Sequence, residues 1–375
     1  MRVLVAPDKF KGSLTAREVA ARVAAGIGAE APGVEVAQVP VADGGDGTLD
    51  AALAAGYARV EVPARGPTGE PVTTAFAALD GMAVVEMADV SGLAMLMPDK
   101  LDALHASSYG TGEVIRAALD HGCREIVLGI GGSASTDGGA GVVAALGARL
   151  LSSDGRSLAP GGAALADLAR LDLSGLHPAL AEARVVVASD VDNPLLGPNG
   201  AAAVYGPQKG ASPSDVEVLD KALGRWADVV EAAAGGAARD RPGAGAAGGV
   251  GFAAMAVLGA ELQSGIGLVL DLVGFADHLP GTGLVVTGEG SLDTQTLSGK
   301  TPAGVAAAAR EAGIPVVTVS GRVALTADQL AGAGIRRAYA LTDIESDPDR
   351  CFTEAGPLLE QLARTLANDW LKEDT

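Results

Sequence analysis

Short apolar runs alternate along the chain with segments whose apolar residues recur at helical spacing. Runs rich in Val, Ile and Leu predict strands that are buried on both faces, as in parallel sheets. The predicted strands span residues 2–6, 34–39, 83–87, 124–130, 184–189, 283–287, 315–320 and 335–341. The segments between them predict the helices that connect parallel strands.

The clearest predicted helix covers residues 213–233. Ser212 is its expected cap, Pro213 suits the first helical position, and Leu223 and Trp226 belong to an apolar stripe along one face. Four further helices are predicted at residues 15–31, 112–121, 302–312 and 353–371.

The alternation of strands and helices predicts an α/β protein with mostly parallel sheets of Rossmann-like or flavodoxin-like type. A length of 375 residues favours two α/β domains, each with its own core. The first two strand-helix units resemble the last three, and the glycine-rich segments lie between them. We therefore expect a discontinuous Rossmann-like domain at 1–65 plus 280–375 and an inserted second domain at 66–279. By composition alone, the run 235–251 is a candidate linker.

Composition and charge exclude several functions. The net charge is −19 and aromatic residues make up 3%, whereas nucleic acid is bound by basic surfaces and stacking rings. Cys123 and Cys351 are far apart in sequence, which fits a reducing compartment. No apolar run reaches the length of about 18 residues that spans a membrane. We expect a cytoplasmic protein that binds neither nucleic acid nor membrane.

A glycine-rich segment at 129–141 follows a predicted buried strand. Its backbone N–H groups and the start of the next helix would attract phosphate, and glycine would let a ligand come close. Three interpretations compete: a nucleotide phosphate loop of a kinase, a dinucleotide fingerprint, or a turn that only packs helix on strand. Gly129, Gly131 and Ala134 match the fingerprint, but the acidic residue twenty positions later, Asp154, belongs to a turn.

A second phosphate-loop signature is incomplete. Gly299, Lys300 and Thr301 match the tail of a Walker loop, but Thr294 stands where its first glycine belongs. Lys300 could still reach a phosphate as a point charge, or it could be an ordinary exposed lysine near a helix start.

Carboxylates and lysines follow several predicted strands, at the end where open α/β sheets bind their ligands. Asp8, Lys9 and Lys11 follow one strand, Asp190 follows another, and Glu289 a third. Phosphoryl transfer needs such a set, because it uses a carboxylate for a metal, a base for the hydroxyl proton and cations for the transferred charge.

Taken together, these segments resemble the type I glycerate kinase family over nearly the whole chain. The resemblance includes Ala-Pro-Asp-Lys-Phe-Lys-Gly-Ser-Leu at 6–14 and Thr-Gly-Glu-Gly-Ser-Leu-Asp-Thr-Gln-Thr at 287–296. The other matching segments are 40–48, 108–113, 129–141, 190–195, 205–211 and 243–251, with Gly299 and Lys300.

The resemblance implies phosphorylation of D-glycerate by ATP with Mg²⁺, in a two-domain α/β enzyme whose active-site cleft lies between the domains. It favours 2-phosphoglycerate over 3-phosphoglycerate as the product. It also makes 243–251 a family motif near the cleft, which argues against a linker there. The alternatives are a nicotinamide-dependent hydroxyacid dehydrogenase and a non-catalytic protein that binds small anions.

The hypothesis gives each group of residues a role. Asp190 is the predicted base because it follows a buried strand, and Lys9, Lys11 and Lys209 complete the predicted catalytic set. The predicted metal ligands are Glu289 and Asp293. The predicted substrate-binding residues are Asp8, Asp43, Gly44, Gly45, Asn193, Gln208 and Lys300. The predicted nucleotide-binding residues are Gly131, Gly132, Ser133, Ser135, Thr136 and Asp137.

Both presumed substrates are anions, so a protein of net charge −19 needs a local excess of cations to bind them. We expect Lys9, Lys11, Lys209 and Lys300 to meet in one positive cleft, divided between phosphate and carboxylate groups. The enzyme is expected to be a monomer or a homodimer.

Overall fold

The computed structural model describes residues 1–371, apart from the side chain of Ser298. The chain divides into two compact units, each built from more than one segment. Unit 1 comprises Met1–Asp43, Asp50–Gly56 and the chain from Ile266 onward, and unit 2 comprises Gly44–Leu49 and Tyr57–Gly265. No helix of the described chain is both long enough and apolar enough to cross a membrane.

Strands are numbered in chain order over the described residues. They are β1 (Arg2–Pro7), β2 (Glu35–Gln38), β3 (Ala58–Arg65), β4 (Pro71–Leu79), β5 (Met82–Glu86), β6 (Glu125–Gly129), β7 (Arg149–Leu151), β8 (Arg170–Asp172), β9 (Arg184–Ala188), β10 (Glu261–Gln263), β11 (Thr282–Leu292), β12 (Val316–Val323) and β13 (Ile335–Ala340).

The helices are numbered in the same way. They are α1 (Ala16–Glu30), α2 (Thr48–Ala54), α3 (Ala88–Ser91), α4 (Tyr109–Asp120), α5 (Ala140–Ala145), α6 (Ala201–Tyr205), α7 (Pro213–Ala234), α8 (Ala246–Val257), α9 (Gly265–Leu272), α10 (Phe275–His278), α11 (Thr301–Glu311), α12 (Ala327–Gly332), α13 (Pro348–Thr353) and α14 (Ala355–Trp370).

Unit 1 contains a five-stranded parallel sheet in the order β2-β1-β11-β12-β13. Counted along unit 1, this is the flavodoxin-like order 2-1-3-4-5. Helices α1 and α14 cover one face around Val5 and Val319, and helices α9 and α11 cover the other around Leu4 and Val285. The order of the strands reverses between β1 and β11, which is where sheets of this type bind ligands.

Unit 2 contains a six-stranded mixed sheet in the order β10-β9-β6-β5-β4-β3. Strands β5, β6, β9 and β10 are parallel, whereas β4 pairs in antiparallel fashion with both β3 and β5. One core packs on this sheet around Phe76 and Leu128. A second core surrounds Trp226 of α7, together with α5 and α8.

The prediction of an α/β protein with mostly parallel sheets is confirmed. The eight predicted strands correspond to β1, β2, β5, β6, β9, β11, β12 and β13, and the predicted helices to α1, α4, α7, α11 and α14. The predicted helix 353–371 begins two residues late in the structure, because α13 ends at Thr353. The pair β3 and β4 was not predicted, and Pro63 within β3 explains part of that miss.

The boundaries of the units differ from the predicted domains. Strand β3 falls in unit 2 because it pairs along its length with β4. Residues from Ile266 onward fall in unit 1 because Ile266 and Val269 of α9 pack in its core beside Leu4. The short segment 44–49 also belongs to unit 2, which makes that unit discontinuous as well.

Helix α7 offers a matched test of the second core. Leu223→Ala removes a fully buried side chain and should lower the free energy of unfolding of unit 2 by roughly 2 to 5 kcal/mol. Val218→Ala on the exposed side of the same helix should change it by less than about 0.5 kcal/mol. Urea unfolding followed by circular dichroism measures both, and equal effects would contradict the assigned core.

Candidate active site

In unit 1, two carboxylates lie at the carboxyl ends of neighbouring strands. Asp8 directly follows β1, and its N–H donates to the carbonyl of Gly288 on β11 at 2.8 Å. Glu289 is the next residue of β11. Both carboxylates therefore occupy the point where the strand order of the sheet reverses.

The Asp8 side chain is buried, with 6% of its surface exposed. Its Oδ1 accepts the N–H of Lys9 at 2.6 Å, and its Oδ2 accepts the hydroxyl of Thr301 at 2.8 Å. Burial raises the pKa of Asp8 to about 6, with Asp43 adding to the rise and the Lys9 ammonium opposing it. A further positive charge near Asp8 would therefore favour the charged form of its carboxyl group.

Glu289 is half-buried and, like Asp8, is hydrogen-bonded by a threonine hydroxyl. Its Oε1 accepts the hydroxyl of the buried Thr296 at 2.5 Å. Burial raises the pKa of Glu289 to about 7, since desolvation and the carboxylates of Asp8 and Asp293 outweigh Thr296 and Lys300. Two desolvated carboxylates that repel each other are a typical arrangement at functional sites.

The loop between β11 and α11 carries the two threonines that hold these carboxylates. Thr296 lies in a 3₁₀ turn and Thr301 is the first residue of α11. Neither was predicted as a site residue, although Thr301 stands in the incomplete Walker-like tail. Instead of reaching a phosphate-bound metal as in a P-loop, its hydroxyl donates to Asp8.

The donor set of Asp8 and Glu289 suits a hard divalent cation. Mg²⁺ prefers oxygen ligands and is usually held by one or two carboxylates with substrate phosphates and water. Within residues 1–371, no group of three or more His, Cys, Asp or Glu side chains is placed to hold a metal ion. Asp293 helps to raise the pKa of Glu289, and its Oδ1 accepts the N–H of Gln295 at 2.9 Å.

The four lysines expected to share one positive region are not equivalent. In unit 1, Lys9 Nζ lies 3.7 Å from Asp8 Oδ1, Lys300 Nζ lies 3.4 Å from Gln295 Oε1, and Lys11 is exposed. Lys209 belongs to unit 2 and is only 2% exposed. Its ammonium group is enclosed, unlike that of Lys11, and the meeting of all four lysines in one positive cleft stays a prediction.

In unit 2, the glycine-rich loop follows β6 and exposes its tip. Gly131 is half-buried and Gly132 is exposed, with φ of 72° at Gly132. Among the described residues, no protein acceptor is recorded for the N–H groups of Gly131, Gly132 and Ser133. Adjacent backbone donors of this kind form a concave anion site.

The rest of the loop is closed by Asp137. Its carboxylate is 1% exposed and accepts the N–H groups of Ser108, Gly139 and Gly141 at 2.8 to 3.2 Å. It also accepts the hydroxyls of Ser107 and Ser108. These bonds use the donors at the start of α5 that were expected to attract phosphate, so Asp137 supports the loop from within.

Ser135 and Thr136 are also enclosed. Both are 0% exposed, and the backbone at Ser135 and Thr136 packs against Gly248 and Gly162. Within the described residues, neither hydroxyl oxygen has a recorded hydrogen-bond partner, and their contact with nucleotide stays a prediction. Of the other predicted residues, Gly132 is exposed, Gly131 is half-buried and Ser133 is 7% exposed.

Glycines allow two loops of unit 2 to touch without side chains between them. A Cβ atom on Gly131 would lie 2.6 Å from Cα of Gly45, and one on Gly129 would lie 2.8 Å from the carbonyl oxygen of Gly44. Real Cβ atoms do not approach so closely, so these positions require glycine. The segment Gly44–Leu49 thereby packs directly against the base of the glycine-rich loop.

The candidate linker at 235–251 is wrong for its second half. Gly248 and Gly249 are buried, and the N–H of Gly138 donates to the carbonyl of Gly248 at 2.9 Å. A Cβ atom on Gly248 would lie 2.1 Å from the carbonyl oxygen of Ser135. The motif 243–251 is therefore packed backbone to backbone against the glycine-rich loop.

Three further predicted residues of unit 2 differ in their surroundings. Asp190 is exposed, and its Oδ1 accepts the N–H of Gly265 at 3.0 Å. Asn193 is engaged within the protein, since it accepts the hydroxyl of Tyr205 at 2.6 Å and donates to the carbonyl of Asn199. Gln208 is exposed.

Glu86 was not predicted but is the most perturbed carboxyl of this loop region. It ends β5, is 3% exposed, and accepts the N–H groups of Gly47 at 3.0 Å and Leu49 at 2.9 Å. Burial raises its pKa to about 8, with Asp89 and Asp46 adding to the rise. The sequence signal that could have identified Glu86 is its position at the end of a predicted buried strand.

The sequence matches a family model described as the glycerate kinase family over residues 3–371. The chain belongs to the glycerate kinase family. It is 44% identical over 370 residues to the glycerate kinase of Bacillus subtilis (strain 168), covering 98% of this chain and 97% of that protein. It is 41% identical over 370 residues to the glycerate 2-kinase of Escherichia coli (strain K12), with the same coverage.

A solved structure gives the same result. The crystal structure of a protein assigned as glycerate kinase 2 from Salmonella typhimurium LT2 superposes with a TM-score of 0.86 at 40% identity. The match covers 98% of each chain. The predictions of the family and of a kinase are thus confirmed.

The dinucleotide interpretation of the glycine-rich loop also lacks its structural context. A fingerprint requires a second parallel strand beside the first, ending near the acidic residue. Instead, β7 pairs with β8 in an antiparallel two-stranded sheet, and Asp154 is exposed in the turn after it. The dehydrogenase alternative has no support in this geometry.

Glu86 gives a prediction about stability and pH. Its pKa is raised from 4.5 when unfolded to about 8 when folded, so the folded state holds more protons between these values. The stabilisation from this group is complete below about pH 4.5 and is lost as pH rises toward 8, by at most about 1.4 kcal/mol per pH unit. Glu86→Gln should remove this slope, as measured by urea unfolding between pH 5 and pH 8.

Glu61→Gln on the exposed edge of β3 is the control, and its stability profile should parallel that of wild type. A Glu86→Gln profile parallel to wild type would refute the assignment.

Proposed function

We propose that the chain transfers the terminal phosphoryl group of ATP to D-glycerate, with 2-phosphoglycerate as the product. The observation that carries this proposal is the pair of carboxylates, the buried Asp8 and the half-buried Glu289, at the ligand-binding edge of the parallel sheet in unit 1. Desolvation raises their pKa values to about 6 and about 7, and a bound divalent cation would favour the charged form of both carboxylates.

The same pair argues against a protein that merely binds small anions. Two carboxylates at the ligand-binding edge repel an anionic ligand unless a cation lies between them. A nucleotide brought in with Mg²⁺ satisfies that condition, because the metal neutralises charge on the phosphate oxygens and on the transferred group. Asp8 and Glu289 would hold the metal, and Asp293 would contribute to the negative field around it.

The exposed tip of the glycine-rich loop supports nucleotide binding in unit 2. Among the described residues, the N–H groups of Gly131, Gly132 and Ser133 have no recorded acceptor, and phosphate oxygens are strong acceptors. Lys9, Lys11 and Lys300 supply the cations of unit 1 for phosphate and carboxylate groups. Asp43, Gly44 and Gly45 remain the proposed substrate-binding segment. Gln208 is exposed and is a further candidate for substrate binding.

Asp190 is the proposed base. It follows the buried strand β9, it is exposed, and the N–H of Gly265 fixes one of its oxygens. The second carboxylate oxygen would accept the proton of the reacting hydroxyl. The other proposed site residues then need only to hold the reactants. This suits phosphoryl transfer, because positioning and electrostatics dominate its catalysis.

Two finer points rest on comparison and composition. The relative from Escherichia coli is named for the 2-position, which supports 2-phosphoglycerate as the product. Cys123 and Cys351 are free thiols, as expected in a reducing compartment, and ATP is abundant there. We therefore propose the cytoplasm as the location of the reaction.

An enzyme-coupled assay tests the reaction directly. With ATP, Mg²⁺, D-glycerate and enolase but no phosphoglycerate mutase, we expect phosphoenolpyruvate to form, and excess EDTA should abolish the signal. ADP release without phosphoenolpyruvate would indicate the 3-phosphate instead. Absence of ADP release with D-glycerate would refute the proposed kinase reaction.

Asp190→Asn tests the base. The amide keeps an oxygen that can accept the N–H of Gly265, so the change removes basicity while preserving the local fold. We expect kcat to fall by about 10²-fold or more, with the KM for ATP little changed. Asp192→Asn, two residues away and also exposed, is the matched control and should stay within about threefold of wild type. An equally small effect of Asp190→Asn would rule out the base assignment.

A further inference from the structure

Lys209 is among the largest fully buried side chains of the described chain. It ends the 3₁₀ turn Pro207–Lys209, where Gly210 with φ of 94° lets the chain reverse. Burying an ammonium group costs several kcal/mol unless its protons find acceptors. The contacts that Lys209 makes therefore indicate what it is retained for.

Its ammonium group contacts the glycine-rich loop from inside unit 2. Nζ donates to the hydroxyl oxygen of Ser133 at 2.8 Å and to the carbonyl oxygen of Ser135 at 2.5 Å. An ammonium group has donors and no acceptor, so Ser133 Oγ must accept in this bond. The hydroxyl proton of Ser133 is then left to donate elsewhere.

Within the described residues, no acceptor is recorded for that proton. Ser133 is 7% exposed and directly follows the exposed Gly132. Backbone bonds fix the loop on both sides of it, from Leu93 N–H to the carbonyl of Gly132 at 2.8 Å and from Ala134 N–H to the carbonyl of Ser91 at 2.9 Å. The hydroxyl therefore sits on a rigid segment, beside the free N–H groups of the loop tip.

We propose that Lys209 acts on the bound nucleotide through Ser133, by holding Ser133 Oγ as an acceptor so that its O–H donates to a phosphate oxygen. Lys209 is then a positioning residue, and Ser133 is the residue that touches the ligand. The inference rests on the proposed function, because it takes the phosphate at the loop tip to be that of ATP.

The charge state of Lys209 supports this arrangement. Burial lowers the pKa of Lys209 to about 7, while the carboxylate of Asp137, the charged group recorded near it, opposes the shift. Once deprotonated, the amine can accept from the Ser133 hydroxyl, which then no longer donates to phosphate. The contribution of Ser133 to nucleotide affinity should therefore weaken as pH rises above about 7.

A double-mutant cycle tests the coupling. The KM for ATP and the dissociation constant of ADP, measured calorimetrically with Mg²⁺ present, are determined for wild type, Ser133→Ala, Lys209→Met and the double variant. Each single change should weaken nucleotide binding roughly 10- to 100-fold, and the double variant should be no weaker than the worse single one. The KM for D-glycerate should stay within about twofold.

Matched controls separate this role from general damage. Lys221→Met removes an exposed lysine from α7. Ser91→Ala removes a buried hydroxyl that, among the described residues, is recorded accepting from Thr111, and it leaves the backbone carbonyl of Ser91 in place. Both should leave ATP binding within about threefold. If Lys209→Met does not fold, the pH dependence still decides: the KM for ATP should rise between pH 6 and pH 8.5 more steeply in wild type than in Ser133→Ala.

Three results would overturn the inference. Additive losses in the double variant would mean that Lys209 reaches the phosphate without Ser133. Unchanged ATP binding in both single variants, or parallel pH profiles, would leave Lys209 a purely structural residue. Turnover of ATP and D-glycerate by wild type keeps the proposed function intact in these cases, whereas no turnover by wild type refutes both.

Discussion

Unit 2 depends on backbone segments that meet with no side chain between them. Gly129 and Gly131 contact Gly44 and Gly45, while the other end of the same loop contacts Gly248. Such contacts gain dispersion energy and bring backbone donors together, but any added Cβ would force the segments apart. Glycine at these positions is thus a packing requirement, and among the described residues the N–H groups at the loop tip have no recorded acceptor.

Each unit encloses ionisable side chains at its candidate site, among them carboxylates in unit 1 and an ammonium group in unit 2. In unit 1, the carboxylates of Asp8 and Glu289 are held by threonine hydroxyls, which satisfy an oxygen without neutralising it. In unit 2, the cation Lys209 is held by a hydroxyl and a carbonyl, which likewise leave its charge in place. In both units the direct hydrogen-bond partners include neutral groups, and desolvation shifts the pKa of each ion toward its neutral form despite the oppositely charged residues nearby.

Local signals were sufficient for the eight predicted strands and five predicted helices, and insufficient for the remaining elements and for the surroundings of side chains. Helix α7 follows from its cap, Pro213 and apolar stripe, because these act within one segment. The burial of Lys209 and Ser135 depends on contacts with segments that are remote in sequence, and nothing in their neighbourhoods signals it. Strand β3 was missed because Pro63 opposes a strand, yet β3 lies at the sheet edge, where a missing N–H is tolerated.

The connectivity of unit 1 has a consequence for biosynthesis. Strand β1 pairs with β11, so Ala6 and Thr287, which are bonded in the finished sheet, are 281 positions apart. At translation rates of about 5 to 20 residues per second, β1 waits roughly 15 to 60 s for this neighbour. The continuous stretch of unit 2 leaves the ribosome during that interval, so it can be complete while one edge of β1, with its apolar Val3 and Val5, is still unpaired. The nascent chain is therefore most exposed to strand-edge aggregation through its first few residues, and protection by a chaperone would be needed there first.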